Sequence, residues 1–172
     1  MTVLAMAIGN STFAVAPVTV DLDAAQVRRL PVPVLTDWYS CRDLLLDVSG
    51  DDEITAIGIS CPDTVYGSMT AATMQRWRRG FTVVTAVRRL FPVAVVEVAT
   101  DRLCETLAHR SFGAGCRVEP ALAGAGVLAL LAEERADGRL PAEYGVDTSA
   151  RFLGSRAGRI VSDRNRCRRR PL

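Results

Sequence analysis

The chain contains no lysine: all 21 of its basic side chains are arginine, the signature of GC-rich coding rather than of a function. It has one histidine, His109, with no partner at metal-ligand spacing, and no C-x-x-C pair among Cys41, Cys61, Cys104, Cys116 and Cys167. These absences exclude a structural zinc site, and an odd thiol count points to free or buried cysteines. No window approaches 18 consecutive apolar residues, so no membrane-spanning helix is expected. The apolar opening, Met1 to Val18, lacks a basic flank and is interrupted by Gly9-Asn10-Ser11-Thr12. It therefore predicts a strand, a turn and a strand instead of a secretion signal, and a cytoplasmic location. No internal repeat is present.

What is there fits one ordinary domain. The 172 residues are 49% hydrophobic and 23% charged, with a formal net charge of +2. That excludes a disordered chain and allows a sizeable core. The charge is unevenly placed. Residues 151–172 carry eight Arg and one acid, a net of +7, whereas residues 1–150 carry 13 Arg against 18 acids, a net of −5.

Local patterns then give the order of elements. Leu4–Ile8 and Phe13–Val20 predict two strands of a hairpin. Gln26–Val34 predicts a third strand, pushed to an edge by Pro31 and Pro33. Apolar residues at 38, 41, 44, 45 and 48 predict a helix over Asp37–Val48. Ile54–Ser60 reads as a buried strand, Phe81–Phe91 as a helix, Val93–Val98 as a strand and Thr100–Arg110 as a helix. Glu119 or Pro120 opens an alanine-rich helix to Ala136. The boundaries that follow are a lobe over 1–118, a helix and connection docking on it over 119–150, and an Arg-rich tail over 151–172.

Strands alternating with helices after a hairpin predict an α/β fold with a mixed sheet. Right-handed crossovers make Ile54–Ser60 and Val93–Val98 parallel, with their C-terminal ends on one rim. Ligands of such sheets bind at that rim. Three turns converge there: Gly9–Thr12, Ser60–Asp63 and Ala99–Asp101.

Four segments resemble the ROK family of repressors, open reading frames and sugar kinases. Leu4-Ala-Met-Ala-Ile-Gly-Asn-Ser-Thr12 is similar to the family's opening strand and phosphate loop, L-x-x-D-I-G-G-T-K. Ile57-Gly-Ile-Ser-Cys-Pro-Asp63 resembles its G-I-G-x-x-x-P strand and turn. Arg76-Trp-Arg-Arg-Gly-Phe81, with Val87 to Pro92 after it, resembles N-x-x-W-R-G-F and the following helix. Val96-Glu-Val-Ala-Thr-Asp101, with Leu107 to Gly113 after it, resembles the V-x-L-x-N-D strand end and its helix. The matches run over residues 3–116. They imply the N-terminal lobe of a ribonuclease H-like, actin-like ATPase fold: a mixed sheet with a leading β-hairpin, flanked by helices.

The resemblance also implies roles. Asp101 falls where the family places the carboxylate that accepts the sugar hydroxyl proton. The same Asp could equally cap the helix that begins at Arg102. Ser60, Thr73, Thr100 and Asp101 would face the substrate, and Gly9, Asn10, Ser11 and Thr12 would form the phosphate loop. Several departures argue against turnover. Ala7 replaces the first-strand Asp, and a methyl group cannot ligate magnesium. Asn10 and Ser11 replace Gly and Thr, Thr12 replaces a frequent Lys, Thr100 replaces the sugar-binding Asn next to the base, and Thr73 replaces the Asn four residues before Trp77. Arg110 and Ser111 replace part of a Gly-Glu region.

The family also binds ATP between two lobes, with a second Gly- and Thr-rich phosphate loop and a downstream zinc motif. Here Ala121-Leu-Ala-Gly-Ala-Gly126 is a faint echo of that loop, and a core or docking helix is the stronger reading. No certain cofactor is expected: ATP and magnesium would be used only if a second lobe were supplied. The expectation is thus a truncated, catalytically impaired sugar-kinase-like protein with residual hexose or N-acetylhexosamine binding. The alternative is a regulatory or partner-binding module. Family repressors carry an N-terminal helix-turn-helix, and here a strand takes that place. Any contact with nucleic acid would therefore use Arg164–Arg170, which interleaves no aromatic residue, so nucleic acid is not an expected partner. A homo-oligomer or a separate partner is expected to cover the exposed lobe face.

Overall fold

The first strand, β1 (Thr2–Ile8), sets the architecture by alternating large and small side chains. Leu4, Met6 and Ile8 point to one face of the sheet, and Ala5 and Ala7 to the other. The next strand, β2 (Thr12–Pro17), repeats the pattern, with Phe13 and Val15 opposite Ala14 and Ala16. The sheet therefore has a bulky face and a small-residue face, each requiring different helices. The computed structural model describes residues 2–9, 12–18, 24–31, 38–62, 82–113 and 116–138.

After β2 come a 3-10 turn at Ala24–Gln26, β3 (Arg28–Pro31), α1 (Trp38–Ser49) and β4 (Ile54–Cys61). Then follow α2 (Val83–Leu90), β5 (Val95–Thr100), α3 (Asp101–Phe112) and α4 (Pro120–Ala136). The five strands lie in the order β3-β2-β1-β4-β5. The first three are antiparallel in sequence, and β1–β4 and β4–β5 are parallel. This is the mixed sheet with a leading hairpin and flanking helices that the sequence predicts. As its prolines require, β3 is an edge strand.

On the bulky face Cys41 and Leu45 of α1 and Val83 and Val87 of α2 pack against Leu4, Met6, Phe13, Ile57 and Ile59. On the small face α4 and α3 pack against Ala5, Ala7, Ala14, Ala16 and Ala99. Nearly every residue of α4 from Ala121 to Glu134 is buried. Small side chains on both surfaces let backbones meet. A β-carbon on Gly124 would sit 1.8 Å from the Cys104 carbonyl oxygen of α3. Residues 121–126 are thus the first turns of a core helix, and their glycines serve close packing rather than a phosphate loop.

Most boundaries differ from expectation by a residue or more: Gln26 lies in the 3-10 turn, so that β3 begins only at Arg28, and two further shifts have a visible cause. The last strand starts at Val95, not Val93, because the chain first turns back on itself through a bond from Ala94 N–H to the Phe91 carbonyl. Val93 is left 69% exposed on that turn. The α3 helix runs on to Phe112, where Gly113 ends it at φ 60°, a left-handed backbone that glycine adopts without strain. No helix among the described residues is long and apolar enough to cross a membrane. The connection over 139–150 and the tail over 151–172 lie outside the described residues.

Candidate functional site

The parallel strands are in register at one rank: Ala7 of β1 faces Ser60 of β4, and Ser60 faces Ala99 of β5. Two residues beyond each member of that rank the strands give way to Gly9, Pro62 and Asp101. The described parts of the three turns expected to converge, Gly9 and Thr12, Ser60 to Pro62, and Ala99 to Asp101, lie toward this rim, at the C-terminal ends of β1, β4 and β5. Asn10, Ser11 and Asp63 of those turns lie outside the described residues, as does Thr73.

At β5 the chain passes directly from strand into α3, and this junction fixes the site. Thr100 is extended (φ −71°, ψ 154°), and its Oγ1 accepts a hydrogen bond of 3.3 Å from the Leu103 N–H. Thr100, not Asp101, is therefore the helix cap. Asp101 is the first helical residue, half-buried at the positive end of a 12-residue helix. A carboxylate is stabilised there by the unpaired N–H groups of the first turn.

Ser60 reaches Asp101 from beneath. Its Oγ–H donates to Asp101 Oδ1 at 2.5 Å across 41 residues of chain. Ser60 itself is 0% exposed. The Cys104 thiol, one turn beyond Asp101, lies beside this pair. Burial pushes that thiol up from 9.0 to about 12, against the opposing effect of the Ser60 hydrogen bond. Negative charge at Asp101 and Glu105 pushes in the same direction as burial. Cys104 is thus a neutral, inert packing thiol. It is absent from the residues singled out by sequence, although its place in the inward run 104, 107, 108 and 111 of α3 was legible.

At the end of β1 the chemistry is different. Gly9 N–H donates to the Thr12 carbonyl at 2.7 Å, so this donor is used to close the turn. Ala7 is buried between Ala14 on one side and Ser60 on the other. No carboxylate stands there, and no group of three or more His, Cys, Asp or Glu side chains that could hold a metal occurs among the described residues. The residues at the end of β1 do not fit a magnesium ion. Cys41, Cys61, Cys104 and Cys116 are in no disulfide, and Cys167 lies outside the described residues.

No family model matches the sequence, and no curated protein matches it. Solved structures do resemble it in shape. A ROK family protein from Streptococcus pneumoniae in complex with sucrose aligns at TM-score 0.49 and 19% identity, over 63% of this chain and 37% of its own. A ROK hexokinase from Thermus thermophilus aligns at 0.47 and 15%, over 68% and 39%. An inorganic polyphosphate/ATP-glucomannokinase from an Arthrobacter strain aligns at 0.44 and 18%, over 69% and 51%. The chain thus spans between 37% and 51% of the length of these three structures. At such identities and TM-scores the likenesses assign neither a reaction nor a substrate to it.

Proposed function

We propose that this chain is a ROK-type, ribonuclease H-like lobe that binds a hexose or N-acetylhexosamine through Asp101 and does not by itself phosphorylate it. One observation carries this reading. The Asp101 carboxylate stands at the C-terminal rim of the parallel strands, at the head of α3, with one oxygen held by Ser60. A sugar hydroxyl donating to that carboxylate would find its acceptor fixed in place, which is what both sugar binding and proton acceptance require. The reading agrees with the motif resemblance at Val96–Asp101 and with the ligand position usual for sheets of this kind.

The impairment rests on Ala7. Phosphoryl transfer depends on positioning and on neutralising charge on the transferred group. A buried methyl at the end of β1 supplies neither, and loss of one charge-stabilising group commonly costs about 10² to 10³ in rate. ATP and magnesium enter this scheme only where a partner supplies a second lobe. The test is incubation with ATP, magnesium and glucose, N-acetylglucosamine or N-acetylmannosamine, alongside thermal shifts with each sugar alone. Sugar-dependent stabilisation that Asp101→Ala removes, without sugar phosphate formation, is the expected result. Robust sugar phosphate formation would overturn the impairment, and no stabilisation by any sugar would overturn the binding.

The alternative, a partner-binding module, has one observation in its favour. Tyr39 and Leu46 stand exposed seven residues apart on α1, with the Arg42 guanidinium 5.2 Å from the centre of the Tyr39 ring. Residues seven apart share a helix face. A sedimentation mass of a dimer that Tyr39→Ser with Leu46→Ser returns to a monomer, combined with no response to sugars, would select this reading.

A further inference from the structure

The sequence resemblance places Ser60 among the residues that would face a substrate, yet its side chain has no access to one. It sits on β4, a central strand, flanked in register by Ala7 and Ala99. The Cys104 side chain approaches from α3. Two residues earlier on the same face, Gly58 is covered by the backbone of α4. Ser60 is 0% exposed, whereas Asp101 is only half-buried. Of this hydrogen-bonded pair, only Asp101 reaches the rim.

We propose that Ser60 is a positioning residue, whose Oγ–H holds the Asp101 carboxyl through Oδ1 and does not touch the ligand. This rests on the reading of Asp101 as the ligand-binding group. The directions of the bonds follow from the donors present. A carboxylate only accepts, so the single Ser60 proton goes to Oδ1. An O–H to carboxylate bond of 2.5 Å is short and charge-assisted, stronger than a neutral pair. Its effect is conformational. An Asp side chain at the first position of a helix has more than one staggered χ1 available. A buried donor anchored in the central strand selects one of them and aims the carboxyl at the rim.

The test separates positioning from direct contact. Side-chain χ1 of Asp101 is measured through three-bond NMR couplings in the wild type, Ser60→Ala and Ser60→Cys. Calorimetric affinities for glucose, N-acetylglucosamine and N-acetylmannosamine are measured for these proteins, Asp101→Ala and the Ser60→Ala/Asp101→Ala double variant. The wild type is expected to show one rotamer and Ser60→Ala an average. Ser60→Cys, with a weaker donor of similar volume, is expected to fall between them and remains informative should Ser60→Ala fold poorly. Affinity falls about tenfold in Ser60→Ala, in line with a hydrogen bond to a charged group. Adding Ser60→Ala to Asp101→Ala changes nothing further, because the effect passes through Asp101. Additive losses of affinity would assign Ser60 a ligand contact and overturn the inference. So would an unchanged Asp101 rotamer in Ser60→Ala, and this measurement decides the matter even where none of the sugars binds.

Discussion

A β-carbon on Gly58 would lie 1.9 Å from the carbonyl oxygen of Ala125 and 2.9 Å from the Ala129 nitrogen, so β4 and α4 touch backbone to backbone. Neither neighbour is a flexible side chain that could swing aside. Gly58→Ala therefore forces the helix off the sheet, and with it α3, which rests on Gly124 of the same helix. Overpacking typically costs 1–3 kcal/mol. Here the obstacle is main chain, and a loss of about 3 kcal/mol or more is expected in urea denaturation. Gly124→Ala, aimed at the Cys104 carbonyl, should behave alike. A Gly58→Ala protein with wild-type stability would show that α4 does not seat on β4 in this way.

At the strand-to-helix junction, Thr100 is expected to act through its hydroxyl. Its Oγ1 satisfies the Leu103 N–H, one of the donors that a helix start leaves unpaired. Thr100→Ala should lower stability by about 1 kcal/mol, and Thr100→Ser should restore it, since serine caps as well as threonine. Chemical denaturation of the three proteins checks this. Equal losses for Ala and Ser would assign the effect to the threonine methyl instead of the cap.

Neither of these two contacts is legible in the sequence alone. The elements themselves follow from local pattern. Apolar spacing places α1 within one residue at each end, and Pro120 marks the start of α4. Pro31 predicts the edge position of β3. The convergence of the C-terminal ends of β1, β4 and β5 on one rim follows from the handedness of crossovers. What local pattern cannot supply is register. The facing of Ala7, Ser60 and Ala99 depends on how three strands separated by dozens of residues slide against one another. For the same reason the Ser60–Asp101 bond, the burial of Ser60 and the neighbouring Cys104 thiol emerge only in three dimensions. That Thr100 caps α3, where the sequence offers Asp101, turns on a single residue of backbone conformation, finer than periodicity resolves.

At the opposite end of the parallel strands, α4 is tied to the sheet by a polar contact. Thr55 Oγ1 donates to Glu133 Oε1 at 2.5 Å, and Glu133 is buried. Hydrogen bonds to charged groups contribute roughly 1.5–3 kcal/mol. Thr55→Val keeps the shape and the β-branch suited to a strand while removing the donor, so the carboxylate stays buried with less support. A loss of about 2 kcal/mol is expected. Pairing it with Glu133→Leu should cost less than the sum of the two single changes, because the second removes the group that has lost this donor. Strict additivity in that double-variant cycle would mean that the two side chains do not interact.

Alkaline pH should weaken the fold through Cys104. The thiol is held up at about 12 against 9.0 unperturbed, mainly by burial. Between those values the folded chain keeps a proton that the unfolded chain has released. Unfolding therefore releases a proton, and stability must fall as pH rises through this window, with no contribution from this group below pH 9. The slope approaches 1.4 kcal/mol per pH unit, the free energy equivalent of one bound proton per unit, roughly and at most. Denaturation curves from pH 8 to 11 for the wild type and Cys104→Ala would isolate it. The wild type should lose stability more steeply than the variant, and Cys104 should resist disulfide-exchange reagents at pH 8 until denaturant is added. Parallel curves for the two proteins, or rapid labelling of Cys104 in the native state, would show that the thiol is not sealed beneath Ser60 and Asp101.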